Sequence, residues 1–146
     1  AAVRERNPDL VLVVAGPRGW GELPSSFGTH VIELGKVTDD LLDTLYRNAI
    51  CTANMSSAEG FGYPVLESMA RATPVVAANA GSLPEIVGTG GYLVNNADEL
   101  AGALISLVEH PDTRSQQAQC ALRQAELFSL SEFSRKHIAV YEKVAG

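Results

Sequence analysis

Apolar strand-like runs alternating with amphipathic helical segments predict an α/β fold for this chain: a doubly wound, mostly parallel sheet of about five strands flanked by helices, Rossmann-like in its order. Two observations carry that reading. Several short runs are apolar at every position instead of alternating, the pattern of strands covered on both faces. Segments of helical periodicity lie between and after them, with capping residues at their starts. A length of 146 residues fits one domain, residues 1–146, with room for a buried core.

The first strand is expected over residues 10–15, reading LVLVVA. Residues 31–34, 49–55, 73–78 and 91–94 supply the others. Thr38 is placed to cap a helix whose first turn carries Asp39 and Asp40, matching the helix dipole. Leu41, Leu42, Leu45, Tyr46 and Ala49 give that helix its apolar face. A second helix starts near Pro64, a residue tolerated in a first turn. A third follows Asn96, with Glu99 three residues on, as in a capping box. Pro111 opens another, to about Phe128. Ser129 and Glu132 mark the start of the last. No strand separates the three C-terminal helices, which read as packing material.

Composition excludes several classes. Hydrophobic residues at 46% and charged residues at 19% describe a globular chain, not a disordered one. The net charge of −6, with no Lys/Arg run, argues against a nucleic-acid surface. No stretch approaches the ~18 apolar residues of a transmembrane helix. The start, Ala1-Ala2-Val3-Arg4, has no apolar signal-peptide core. Cys51 reads as a buried strand residue and Cys120 as a helix residue, too far apart for a zinc site or a disulfide framework. His30, His110 and His137 form no cluster, so no metal is expected. Ser56 and Ser57 have no partnered His. These points favour a cytoplasmic location, peripheral to the membrane in a full-length protein.

The chemistry concentrates in residues 56–67, SSAEGFGYPVLE, where a strand ends and a helix begins. Ligands of open α/β sheets bind at the carboxyl ends of strands, and free helix N–H groups attract anions. Gly60 and Gly62 let backbone approach a ligand. Glu59 and Glu67 bracket the turn. On a helical wheel Val65, Leu66, Met69 and Ala70 share a face, and Glu67 lies outside it, near Ser68 and Arg71. Carboxylates accept from vicinal hydroxyls of a sugar or ribose. A Glu in a first helical turn also serves the dipole alone, so both roles stay open for Glu67.

Glu59 and Glu67 form an E-x7-E motif, EGFGYPVLE in full, which resembles family-4 glycosyltransferases, a large retaining group. The surroundings resemble that family in order: residues 35–41, GKVTDDL; residues 72–77, ATPVVA; residues 81–87, GSLPEIV; and residues 90–94, GGYLV. The resemblance implies the C-terminal, donor-binding half of a GT-B enzyme. It implies that Glu67 binds ribose hydroxyls of a nucleoside diphosphate and that Glu59, the catalytic-site carboxylate, sits beside the donor sugar. Backbone N–H groups of Phe61, Gly62 and Tyr63 would face sugar and diphosphate. Gly60 and Leu66 belong to the same donor-binding set. Lys36 and Val37 would contact the base, and Gly16 would line the cleft. The substrate implied is a UDP- or GDP-sugar, with no metal and no other cofactor. Glycosidase logic for paired carboxylates does not carry over to Glu59 and Glu67.

The match departs from the family pattern at its start. An N-terminal acceptor domain, a first strand and a diphosphate-binding Arg/Lys pair are expected upstream. Arg18 and Lys36 are candidates for a partial replacement. The loop Gly16-Pro17-Arg18-Gly19-Trp20-Gly21 lacks the spacing of a nucleotide fingerprint. Glu85 reads as a helix-start residue and Trp20 as a loop packing residue. The fragment is therefore expected to be inactive in transfer without its missing half. An alternative is a stand-alone nucleotide-sugar binding or interaction module that associates through the surface the missing domain would cover. A nucleotide-sugar epimerase on the same architecture would need acid/base residues that the chain does not supply.

Overall fold

A computed structural model describes residues 2–17 and 30–146. It divides into two compact units, Ala1–Asn48 and Ala49–Gly146. Among the described residues all strand pairs are parallel, but they fall into a two-stranded and a three-stranded group.

The first unit contains α1 (Ala2–Arg6), β1 (Leu12–Ala15), β2 (Val31–Gly35) and α2 (Asp39–Asn48). Leu12 lies opposite Val31, and a register shift after Val14 sets Ala15 opposite Gly35. Thr38 caps α2 as the sequence suggests: its Oγ1 accepts from Leu41 N–H at 3.4 Å. Of the expected apolar face, Tyr46 is buried and Leu42 and Leu45 half-buried, whereas Leu41 is exposed and Ala49 lies past the helix end. β1 also departs from expectation. All four of its residues are exposed, although the run is apolar throughout. Among the described residues of this unit, two strands and two helices, one of only five residues, leave β1 uncovered.

The second unit contains β3 (Thr52–Asn54), α3 (Tyr63–Met69), β4 (Val75–Ala78), α4 (Leu83–Val87) and β5 (Tyr92–Val94). It ends in α5 (Ala97–Glu109), α6 (Pro111–Glu126) and α7 (Leu130–Ala145). Its strands pair in the order β3-β4-β5. Here the apolar-run reading holds: Val75, Val76 and Ala77 of β4 are fully buried. Val75 and Ala77 join Val65, Met69, Leu83, Ile86, Val87, Ala121 and Ala125 in one core cluster. Val76 faces the other way, with Val94 and Leu107 of α5. Alternation along an extended strand sends neighbouring side chains to opposite faces, so β4 builds both clusters.

Cys51 precedes β3 instead of lying in it, packed against the second cluster, and burial pushes its thiol up to about 11. Asn96 caps α5, its side chain accepting from the N–H groups of Asp98 (3.1 Å) and Glu99 (2.9 Å). Glu99 reaches back one residue further than a capping box requires. The Asn95 N–H donates to its carboxylate at 2.7 Å and holds it below the usual carboxylate range. α7 buries none of its residues, so it is not packing material for this unit.

The close of α3 corrects the expected helix face. Ser68 is fully buried, donating to Thr52 Oγ1 at 2.8 Å, while Ala70 is exposed. The helix stops at Met69 in a Schellman arrangement: Thr73 N–H donates to Ser68 O (3.1 Å) and Ala72 N–H to Met69 O (3.0 Å). That motif forces Ala72 to φ 55°, the one non-glycine in the left-handed region among the described residues. A left-handed Cβ costs roughly 1–2 kcal/mol, and glycine gives back about half of that in backbone entropy. Ala72→Gly is expected to stabilise the unit by roughly 0.5–1 kcal/mol, measured as a rise in the urea midpoint.

Among the described residues no helix is long and apolar enough to cross a membrane. None of the described His, Cys, Asp and Glu side chains form a group of three or more able to hold a metal ion.

Candidate functional site

The site grows from the carboxyl end of β3. Asn54 is the last strand residue, and its Oδ1 accepts from Ser56 N–H at 3.0 Å. This Asx turn bends the chain off the sheet. Ser56 Oγ then donates to Ala58 O at 3.0 Å. The other end of the Asn54 amide, Nδ2, donates to Glu59 Oε1 at 3.2 Å. Glu59 is therefore half-buried and held from the strand, not loose on the loop.

A second support comes from the turn before α4. Ser82 Oγ lies 2.8 Å from Phe61 O and 3.2 Å from Glu59 O, so its single proton is shared between two carbonyls of the loop. Gly81 permits this approach, because a Cβ there would lie 3.1 Å from Glu59 N. Ser82 and Gly81 thus brace the glutamate-glycine turn from a segment more than twenty residues away.

Gly60 and Gly62 play different parts. Gly62 precedes α3 at φ 101°, ψ 39°, and a Cβ would meet Leu83 Cδ2 at 3.1 Å. Gly60 has nothing within 4 Å of a Cβ position. Gly62 is required by the chain itself, whereas Gly60 borders open space. The first α3 donors used internally are the N–H groups of Val65 and Leu66, both to Gly62 O. Those of Phe61, Gly62 and Tyr63 precede that ladder. The Phe61 ring lies 4.8 Å from Tyr63 and edge-on to Phe128 at 6.2 Å, and Phe128 packs against the first core cluster. Tyr63 is mostly exposed.

Glu67 stands one turn into α3 and is half-buried. Its carbonyl accepts from Arg71 Nη1 at 2.9 Å. Leu66 packs against the core. Glu85 is exposed in the first turn of α4, as expected of a helix-start residue. The structure thus brings Glu59, Gly60, Phe61, Gly62, Tyr63, Leu66 and Glu67 into one turn and helix start. In the first unit, Gly16 N–H donates to Gly35 O at 2.8 Å, at the carboxyl ends of both strands. Lys36, exposed, and Val37, half-buried, follow directly. Arg18, Gly19, Trp20 and Gly21 lie outside the described residues.

Sequence reasoning passed over Asn54, Ser82 and Phe128. Asn54 left a signal, since a lone Asn in an apolar run before two serines is a turn former. The other two act through contacts across distant segments, which no local pattern encodes.

Parallel strands flanked by helices, with a glycine-bearing turn at a strand's carboxyl end, define a doubly wound α/β domain with its ligand-binding end at that turn. The chain belongs to the family described as "Glycosyl transferases group 1", which matches residues 1–110. It is 36% identical over 162 residues to the D-inositol 3-phosphate glycosyltransferase of Rhodococcus erythropolis, covering 99% of this chain and 37% of that protein. It is 32% identical over 140 residues to O-antigen chain mannosyltransferase B of Escherichia coli, covering 90% of this chain and again 37% of the relative. The chain therefore spans little more than a third of the length of these relatives. In fold it resembles HepE of Anabaena, solved in complex with UDP (TM-score 0.82, 23% identity, 97% of this chain and 43% of that one). It also resembles the C-terminal domain of the group 1 glycosyl transferase LpcC of Francisella tularensis (TM-score 0.72, 26% identity, 85% and 72%).

Proposed function

We propose that this glycosyltransferase domain binds the nucleoside-diphosphate sugar donor of a retaining hexosyltransferase. One observation carries the reading: Glu59 and Glu67 flank a Gly62 turn at the carboxyl end of β3, with backbone donors between them. HepE, which shares the fold, has been solved with UDP and with UDP-glucose. In this reading Glu67 accepts from the ribose hydroxyls and Glu59 from the sugar. The N–H groups of Phe61, Gly62 and Tyr63 face the diphosphate and sugar, beside Gly60 and Leu66.

The transfer exchanges the bond from the anomeric carbon to the diphosphate for one to an acceptor oxygen on the same face. The acceptor proton passes to the departing diphosphate. No metal takes part, so fixed dipoles and cationic side chains stabilise that leaving group. The acceptor is held by a separate N-terminal domain, and this chain alone transfers little or nothing. The free thiols of Cys51 and Cys120 suit a reducing, cytoplasmic setting, with the full protein peripheral to the membrane.

Calorimetric titration with UDP-glucose, GDP-mannose, UDP and GDP, in EDTA, tests the reading. One nucleotide series is expected to bind saturably. Glu67→Ala should weaken that series by roughly 10–100-fold, the worth of hydrogen bonds to a charged group. Absence of any binding, or a Glu67→Ala variant that binds like wild type, would defeat it.

A further inference from the structure

We propose that Asn54 is the positioning residue for Glu59 and tunes recognition of the donor's sugar, not of its nucleotide; this rests on the donor reading above. Asn54 closes β3, so its backbone is fixed by the ladder, with Asn54 paired opposite Ala77. From that fixed point its amide does two separable things. Oδ1 accepts from Ser56 N–H at 3.0 Å and shapes the turn. Nδ2 donates to Glu59 Oε1 at 3.2 Å. A glutamate side chain on a loop has three rotatable bonds, and ordering them on ligand binding costs free energy. The Asn54 amide orders them beforehand. It also occupies Oε1, which leaves Oε2 to accept from a donor hydroxyl. Ser82 fixes the Glu59 backbone from the other side, so carboxylate and main chain are held independently.

The two ends of the Asn54 amide allow a clean test. Asn54→Asp keeps an Oδ1 acceptor for Ser56 N–H but turns a carboxylate oxygen toward Glu59 Oε1, and like charges at that distance repel. Asn54→Ala removes both bonds. Calorimetry should show Asn54→Asp weakening the nucleotide sugar about tenfold while the matching free nucleoside diphosphate stays within about twofold. The circular dichroism spectrum of Asn54→Asp should match wild type, since the Ser56 bond keeps the turn. An equal loss for both ligands, or no loss for the sugar, overturns the proposal.

Amide NMR spectra test the contact without any ligand. Glu59→Gln is expected to shift the side-chain amide signals of Asn54, and unmoved signals overturn the contact. A wild-type chain that binds no nucleotide sugar would overturn the donor reading, and the sugar-facing role of Asn54 with it. The amide spectra would still decide whether Asn54 holds Glu59.

Discussion

Leu83→Ala is expected to destabilise the Ala49–Gly146 unit by about 3–4 kcal/mol, within the range for emptying a fully buried leucine site. Leu83 has no exposed surface, and the core cluster it belongs to draws on α3, β4, α4 and α6 at once. Helices packed on a sheet cannot close over a missing side chain without moving relative to the strands, so most of the cavity persists. Folded domains are stable by only about 5–15 kcal/mol, so such a loss removes a large share of the margin. With a urea dependence near 2 kcal/mol per molar, the midpoint should fall by roughly 2 M. Leu83→Met, which nearly conserves volume, should cost less than about 1.5 kcal/mol. A midpoint for Leu83→Ala within about 0.5 M of wild type would show that the α3–α4 core relaxes into the space. The effect should also reach the site. Leu83 follows Ser82 directly, and its Cδ2 is the atom nearest a Cβ at Gly62. Loosening it slackens the Ser82 brace and the Gly62 turn.

The contrast between β1 and β4 explains how far pattern reading goes. Both runs are apolar throughout, and the sequence predicts both as strands. Only β4 is buried on both faces, because α3, α4 and α6 cover one side and α5 the other. Hydrophobicity states what a segment can bury, whereas coverage depends on what the fold brings over it. α7 teaches the same point from the helical side. Its start signal, Ser129 accepting from Glu132 N–H, is local and legible, but its burial is not, and none of its residues is buried. Caps such as Asn96 and Thr38 are readable because donor and acceptor lie within four residues. The E-x7-E turn is readable because its residues are contiguous in the sequence. Its supports are not: Ser82 reaches Glu59 and Phe61 across more than twenty residues, and Phe128 reaches Phe61 across more than sixty. The face of α3 failed for a related cause. The wheel ranks Ser68 by its polarity, but its hydroxyl reaches Thr52 across sixteen residues and is buried there, whereas Ala70, still helical in its backbone angles, lies exposed beside the Schellman close.

Gly62→Ala and Gly60→Ala should separate what the turn needs from what its ligand needs. At Gly62 an alanine must adopt φ 101° and push against Leu83 Cδ2 at 3.1 Å. The left-handed backbone alone costs about 1–2 kcal/mol, and the leucine must shift by a few tenths of an ångström. The chain can relieve the strain only by rotating the peptides on either side, which carry the N–H groups of Gly62 and Tyr63. A stability loss of about 2 kcal/mol is therefore expected, together with a loss of nucleotide-sugar affinity greater than tenfold. At Gly60 a Cβ meets nothing within 4 Å, and the residue does not occupy the left-handed region. Gly60→Ala should leave the urea midpoint nearly unchanged. If a donor packs against this backbone, the added methyl group occupies the donor's space, and affinity should still fall about tenfold or more. Affinity lost in Gly60→Ala without stability places a ligand against the loop. If affinity falls only in Gly62→Ala, in step with stability, the turn matters for folding and the donor lies elsewhere.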